Sequence, residues 1–167
     1  MESGGIYIGL GANLPNAVHG APQQTLAAAV RALGVAGFTV LRQSPWYESA
    51  PIPISDQPWF VNGVVEISTD LPPEAVLEGL HRLEMAFGRV RNEPNAPRTL
   101  DLDLLDYAGE VRIDEKPPIL PHPRVQDRAF VLFPLRDVAP DWRHPVSGIA
   151  ITELIAGLPP WQQIRRA

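Results

Sequence analysis

The sequence has no cysteine and almost no lysine, and both shortages restrict what the chain can do. Without cysteine there is neither a disulfide framework nor thiolate chemistry. Lys116 is the one lysine among 14 basic residues, and the formal net charge is −5. A general nucleic-acid-binding protein usually presents a net basic face, so this charge argues against that class of protein. It does not argue against a nucleotide as substrate.

Long apolar runs are also missing. No run approaches the roughly 18 residues that a membrane-spanning helix needs. Residues 1–5 lack the basic stretch and the apolar stretch that open a secretory signal. Of the 167 residues, 45% are hydrophobic and 20% are charged, which is typical of a globular chain with one core. We therefore expect a single domain over residues 1–167, a cytoplasmic location, no membrane contact and a monomer.

Proline, by contrast, is abundant, and it separates the predicted helices and strands. The 19 prolines cluster at 45–58, 94–97 and 117–123, which indicates stiffened loops. Between the loops, hydrophobic periodicity predicts strands at 6–11, 38–44, 58–68 and 98–107, and helices at 23–33, 70–87, 128–138 and 149–156.

The order of the first six predicted elements is β-α-β-β-α-β. This order predicts an α+β fold, a ferredoxin-like sandwich with an antiparallel sheet, helices on one face of the sheet and extra helices at the C-terminus. The pattern assigns no role to the tail, residues 159–167. Such a fold cannot name a function by itself, because it also serves RNA-binding and regulatory domains.

The most informative segment is the predicted strand at 98–107, where leucine and aspartate alternate. Side chains alternate faces along a strand, so Asp101 and Asp103 lie on one face, roughly 7 Å apart, and the leucines lie on the other. Such a pair suits Mg²⁺, which is usually bound by one or two carboxylates, waters and substrate phosphates. The alternative, which Asp-x-Asp alone favours, is an ordinary half-exposed strand with solvated aspartates.

Cationic residues around this pair favour a polyphosphate site. Seven of the 14 basic residues lie between Arg89 and Arg128, and arginine forks bind phosphate oxygens. His122 stands between two prolines, which fixes its backbone. The polar segment 89–97 has no periodicity that would pack it down, so it is predicted to be a lid that closes over the bound phosphates.

Local pattern indicates a role for four further features. Gly9-Leu10-Gly11 lacks the lysine of a phosphate loop, which favours a tight turn at the end of a strand. Asn62, inside a predicted strand, is either satisfied by water or a turn, or reads the edge of a heterocyclic ligand. Glu84 is expected on a solvated helix face, and Asp127 is a candidate cap for the helix that follows.

Three motifs together resemble a known family, 6-hydroxymethyl-7,8-dihydropterin pyrophosphokinase of folate biosynthesis. They are Gly-Arg-Val-Arg at 88–91, Pro-Arg-Thr-Leu-Asp-Leu-Asp-Leu-Leu at 97–105, and Leu-Pro-His-Pro-Arg at 120–124 followed by Arg-Ala-Phe-Val at 128–131. The resemblance extends over about 6–139. It implies transfer of the β,γ-pyrophosphoryl group of ATP to the hydroxymethyl oxygen of the dihydropterin, with release of AMP.

The resemblance also implies roles for individual residues. Asp101 and Asp103 would bind two Mg²⁺ ions, and together with Arg89 and Arg98 they would form the catalytic set. The residues that would bind ATP are Glu84, Arg91, Leu104, His122 and Arg128. Those that would contact the pterin are Ser49, Ala50, Ile52, Phe60, Asn62 and Phe130. One departure is the stretch 93–96, which lacks the basic and aromatic residues frequent in the family.

Two other classes of function compete with this hypothesis. A ferredoxin-like module could sense a nucleotide without turning it over. An RNA-binding domain of the same fold would show exposed aromatic residues on a basic face, which the charge of −5 and the single lysine disfavour. Formation of AMP from ATP and the hydroxymethyl-dihydropterin separates the enzyme from the sensor.

Overall fold

Within residues 4–88, 99–114 and 116–167, which the computed structural model describes, six strands and four α-helices follow one another. They are β1 Ile6–Ala12, α1 Pro22–Val35, β2 Thr39–Gln43, β3 Tyr47–Ser49, β4 Phe60–Ser68, α2 Pro73–Ala86, β5 Asp101–Tyr107, α3 Ala129–Val138, α4 Ile151–Ala156 and β6 Ile164–Arg166. A short 3-10 helix, Val125–Asp127, precedes α3.

The strands form one antiparallel sheet in the order β5-β1-β4-β3-β6. β4 is long enough to pair with β3 along its first half and with β2 along its second half. The predicted mixture of helices with an antiparallel sheet is thus confirmed. The sequence pattern missed β3 and β6, each only three residues long, and the C-terminal tail contributes β6.

Helices cover both faces of the sheet. α1 and α2 pack on one face, where the core includes Leu26, Leu80 and Ile8. α3 and α4 pack on the other face, where the core includes Leu132, Leu135 and Val64. The sheet is therefore the middle layer of three, and the C-terminal helices occupy the face opposite α1 and α2.

An irregularity in β5 changes the direction of its last side chains. Tyr7 of β1 pairs with Asp106 and Ile8 pairs with Leu104, so Leu105 is an extra residue in the ladder. Leu104 packs in the α1/α2 core and Leu105 in the α3 core, as regular alternation requires, whereas Asp106 lies on the same side as Leu105 and bonds to Trp142. The predicted alternation is correct as far as Leu105 and wrong beyond it.

Two predicted details at the C-terminal half are also wrong. Asp127 does not cap α3, because it ends the 3-10 helix, and Arg128 occupies the N-cap position without a side-chain hydrogen bond. The last helix begins at Ile151 and not at residue 149. In the part of the chain that the structure describes, no helix is both long and apolar enough to cross a membrane.

Candidate active site

A cavity of about 210 Å³ lies on the α3 side of the sheet. Its lining includes residues from β1, β4, β5, α3 and the loop that follows β3. Among the lining residues are Gly9, Gly11, Ser49, Phe60, Asn62, Asp101, Asp103, Arg128 and Phe130. The predicted metal-binding pair and the predicted pterin contacts, which are distant in sequence, thus surround one space.

The floor of this cavity is the glycine-containing part of β1. Gly9 pairs with Asp103, and Gly11 pairs with Asp101, in regular antiparallel register. The predicted tight turn is therefore wrong, because both glycines lie inside an extended strand. A Cβ on Gly11 would lie 3.1 Å from Oδ1 of Asn62, so a side chain there would press on the cavity wall. Glycine keeps the space between β4 and β5 open.

Asn62 forms part of one wall of the cavity, beside two aromatic rings. It is buried, and its Nδ2 donates a hydrogen bond to Oγ of Ser49 at 2.7 Å. This bond between β4 and β3 holds the amide at the cavity wall. Phe60 and Phe130 line the same cavity and are each only partly buried, and Ala50 and Ile52 complete this side. The arrangement suits a flat, partly polar ring.

Asn13 is a structural residue of the site that the sequence analysis missed. It is 1% exposed, and its Nδ2 donates to Oε1 of Gln57 at 3.0 Å and to the carbonyl of Pro58 at 3.1 Å. These bonds tie the proline-rich loop before β4 to the end of β1. An asparagine at the end of a strand is the only local signal, and it does not indicate a partner 44 residues away.

Asp101 and Asp103 line the opposite part of the cavity and are both partly buried. Across residues 4–88, 99–114 and 116–167, no group of three or more His, Cys, Asp or Glu side chains could enclose a metal by itself. Two carboxylates in an open cavity instead fit Mg²⁺, which keeps waters and takes ligands from substrate phosphates. The donor set therefore fits this ion when a phosphate ligand accompanies it.

Glu84 is buried and not solvated, so that expectation was wrong. It is 1% exposed, and its Oε2 accepts a hydrogen bond from the backbone N–H of Leu102 at 2.7 Å. Leu102 lies between the two aspartates on β5, the edge strand of the sheet. Glu84 thus accepts a backbone N–H that would otherwise be unpaired at the sheet edge, and it fixes the strand that carries both carboxylates. The backbone N–H of Leu104, two residues further, points to the same side.

His122 is held from two directions beside the aspartates. Its backbone N–H donates to the carbonyl of Leu105 at 2.9 Å, and its Nδ1 accepts the N–H of Arg124 at 3.1 Å. Burial, followed by the positive charge of Arg128, lowers the pKa of His122 to about 4, although Asp101 acts in the opposite direction. The ring is therefore neutral near pH 7, and since Nδ1 accepts, the proton is on Nε2.

Two arginines of the described region line the cavity. The guanidinium of Arg128 lies 5.3 Å from the centroid of the Phe130 ring, within the range of a cation–π contact. Arg124, one of the cationic residues whose position favoured a polyphosphate site, also lines the cavity. The other predicted phosphate contacts, Arg89, Arg91 and Arg98, lie outside the described residues, as does the predicted lid at 89–97.

Comparison with known proteins places this site in a family. The family model described as 7,8-dihydro-6-hydroxymethylpterin-pyrophosphokinase (HPPK) matches residues 7–140. The chain belongs to this family. The match contains every cavity residue discussed above, and residues 141–167 of this HPPK-family chain lie beyond it.

Relatives of known name support the assignment. A protein of Pseudomonas aeruginosa named 2-amino-4-hydroxy-6-hydroxymethyldihydropteridine pyrophosphokinase is 42% identical over 155 residues, with 92% of this chain and 91% of the relative covered. A Synechocystis protein of the same name is 41% identical, with 90% and 74% covered. The folic acid synthesis protein fol1 of Pneumocystis carinii is 38% identical over 90% of this chain, which spans only 20% of that longer protein.

Solved structures give the same fold. An HPPK-DHPS triple mutant of Plasmodium falciparum, crystallised with SDX-DHP, superposes with a TM-score of 0.68 over 93% of this chain and 44% of that chain. The wild-type HPPK-DHPS of the same organism, crystallised with pteroate, gives 0.64 over 93% and 42%. The sequences are only 15% and 14% identical, so these likenesses describe the fold alone.

Proposed function

We propose that this HPPK-family chain transfers the pyrophosphoryl group of ATP to the hydroxymethyl group of 6-hydroxymethyl-7,8-dihydropterin. The products are AMP and the dihydropterin diphosphate, an intermediate of folate biosynthesis. The observation that carries the proposal is a single cavity lined by two aromatic rings, a buried amide, two carboxylates and Arg128. A flat heterocycle and a polyphosphate can meet in such a space.

The aromatic end would bind the pterin. Its ring would stack between Phe60 and Phe130, and its polar edge would face Asn62, whose orientation Ser49 fixes. The loop residues Ala50 and Ile52 would supply further contacts to the ring. A base-sized ring stacked on aromatic side chains gains about 1–3 kcal/mol per ring contact.

The charged end would bind the triphosphate of ATP. Asp101 and Asp103 would hold two Mg²⁺ ions, which when bound supply neutralising charge to the phosphate oxygens. Arg128 and the Nε2–H of His122 would contact phosphate directly. Arg89, Arg91 and Arg98 would add cationic contacts. The backbone of Leu104 would contact the nucleotide, and Glu84 would support nucleotide binding through β5, which it holds at Leu102. Transfer of a phosphoryl unit depends mostly on alignment and on charge stabilisation, and this set of residues is suited to both.

The strand order supports a more specific architecture. β1, α1, β2, β4, α2 and β5 would form the ferredoxin-like unit, because β5, β1, β4 and β2 are neighbours in that order. β3, β6, α3 and α4 would then be additions to it. We further propose that the chain acts as a single-domain monomer in the cytoplasm, with no nucleic-acid or membrane partner.

One assay separates this function from nucleotide sensing. The protein is incubated with ATP, Mg²⁺ and 6-hydroxymethyl-7,8-dihydropterin, and the nucleotides are resolved by chromatography. We expect AMP in equal amount to the dihydropterin diphosphate, and none when the pterin is omitted. ADP as the product would contradict pyrophosphoryl transfer, and ATP binding without AMP would support the sensing module instead.

Removing either aromatic ring should weaken the pterin complex selectively. For Phe60→Ala and Phe130→Ala we expect pterin affinity to fall by about 1–3 kcal/mol, or roughly 5- to 150-fold, with ATP affinity nearly unchanged. Calorimetric titration with each ligand measures both constants. Phe133→Ala is the control, because that ring contacts Tyr47 and Arg136 outside the cavity. An equal loss of ATP affinity would refute two separate subsites.

The pKa of His122 should rise when ATP binds. Burial and Arg128 hold it at about 4 in the free protein. A nearby triphosphate adds negative charge, which favours the protonated imidazole, so the pKa of His122 moves upward. Imidazole resonances followed by NMR against pH give the two values. His144, which lies near Asp106 and outside the cavity lining, should titrate identically with and without ATP. An unmoved His122 would place the phosphates elsewhere.

A further inference from the structure

The C-terminal segment, residues 159–167, lies beyond the family match but reaches back to the active site. The side-chain amide of Gln162 makes two hydrogen bonds to the chain around Arg128. Its Oε1 accepts the backbone N–H of Ala129 at 2.8 Å, and its Nε2 donates to the carbonyl of Asp127 at 2.7 Å. The side-chain amide of Gln162 therefore hydrogen-bonds to the backbone on both sides of Arg128.

This contact supplies something that the start of α3 lacks. Arg128 is the N-cap residue, and its side chain makes no capping bond, so the first N–H groups of α3 need acceptors from elsewhere. Gln162 provides one for Ala129, the first helical residue. Because Arg128 and Phe130 flank Ala129 and both line the cavity, the position of this amide affects two side chains of the site.

The same segment is also attached to the opposite wall of the cavity. β6 pairs with β3, where Ile164 faces Ser49. The guanidinium of Arg165 lies 4.6 Å from the centroid of the Trp59 ring, and Trp59 directly precedes Phe60 in the chain. Only Gln163 separates Gln162 from Ile164, which pairs with Ser49, and Ser49 in turn orients Asn62.

We propose that Gln162 is a positioning residue of the active site. It fixes the start of α3 relative to β3, and so sets the spacing of Arg128 and Phe130 from the wall that carries Asn62 and Phe60. This inference rests on the proposed function for its kinetic consequence. A tail that only adds stability would leave the kinetics of the folded protein unchanged.

Gln162→Met tests the proposal, because methionine is of similar length but cannot replace either hydrogen bond. Two lost hydrogen bonds predict a fall in kcat/KM of about tenfold, with pterin affinity lowered as well. The backbone amide of Ala129 should exchange its hydrogen faster. Gln163→Met, the same change at an exposed neighbour, should match the wild type in all three measurements. Assays are run well below the melting temperature of every variant.

A double-mutant cycle decides whether Gln162 acts through Phe130. In a Phe130→Ala background, Gln162→Met should cost little further pterin affinity, since the positioned ring is already gone. A full, additive loss, or wild-type kinetics for folded Gln162→Met, overturns the proposal. A wild-type protein that forms no AMP refutes the proposed function instead. In that case the positioning role would still be refuted if the Ala129 backbone amide exchanged its hydrogen equally fast in the wild type and in Gln162→Met.

Discussion

Replacing Asp101 or Asp103 with alanine is expected to lower turnover about a thousandfold or more. Both carboxylates line the cavity. Removing either one would weaken the binding of Mg²⁺, and the loss of that positive charge beside the triphosphate costs several kcal/mol in the transition state. The fold should survive, because Leu102 and Leu104, whose side chains point to the other face of β5, carry the packing there. Single-turnover formation of AMP measures the loss.

Two control variants separate charge from structure. Asp101→Asn keeps the size of the side chain and removes its charge, so it should be nearly as inactive as Asp101→Ala. Asp141→Ala removes an exposed carboxylate outside the cavity lining and should be fully active. Circular dichroism and melting curves should be similar for all variants. Turnover near the wild-type rate in Asp101→Ala or Asp103→Ala would remove both residues from the metal site.

The regular part of the fold could be predicted from hydrophobic period, but the irregular part could not. β1, β4 and most of β5 follow a clear pattern, and their position in the sequence predicts the central antiparallel sheet. The bulge at Leu105 could not be predicted, because it depends on how β5 pairs with β1 and the sequence of β5 alone does not indicate it. The consequence is chemical, since Asp106 is thereby buried against the indole N–H of Trp142.

The sequence of α2 contains a signal that Glu84 is buried. On α2, Val76, Leu80 and Glu84 recur every four residues, and all three are buried. A carboxylate at the next position of an apolar stripe indicates either a broken stripe or a buried partner. Only the structure identifies the partner as the N–H of Leu102, because that contact joins residues 18 apart in the chain.

The residues of the site itself were predictable where short motifs carry them. Asp101, Asp103, Arg128 and Phe130 stand in compact motifs, and the fold brings them to one cavity. The residues that hold the cavity in shape were not predictable. Gln162 bonds to chain 33 and 35 residues away, and no local pattern distinguishes it from a surface glutamine.

Arg128→Ala is the second change with a large expected effect, a fall in kcat/KM of about a hundredfold. Arg128 lies where the two proposed subsites would meet, with its guanidinium against the Phe130 ring and its charge close enough to lower the pKa of His122. Removal of one preorganised donor from a site of developing charge costs about 10²–10³ in rate. The pKa of His122 should rise at the same time, because a positive neighbour has been removed.

Arg136→Ala, in the helix that Arg128 immediately precedes, is a matched control for this variant. Its guanidinium lies 5.1 Å from the Phe133 ring, so the substitution removes a comparable cation–π contact at a point outside the cavity lining. Arg128→Lys retains the charge but not the planar fork, and it should recover only part of the rate. If Arg128→Ala and Arg136→Ala were equally active, the contribution of Arg128 would be packing on an aromatic ring and not phosphate binding. A hundredfold gap between them, together with the upward shift at His122, requires a cation positioned at the reacting phosphates.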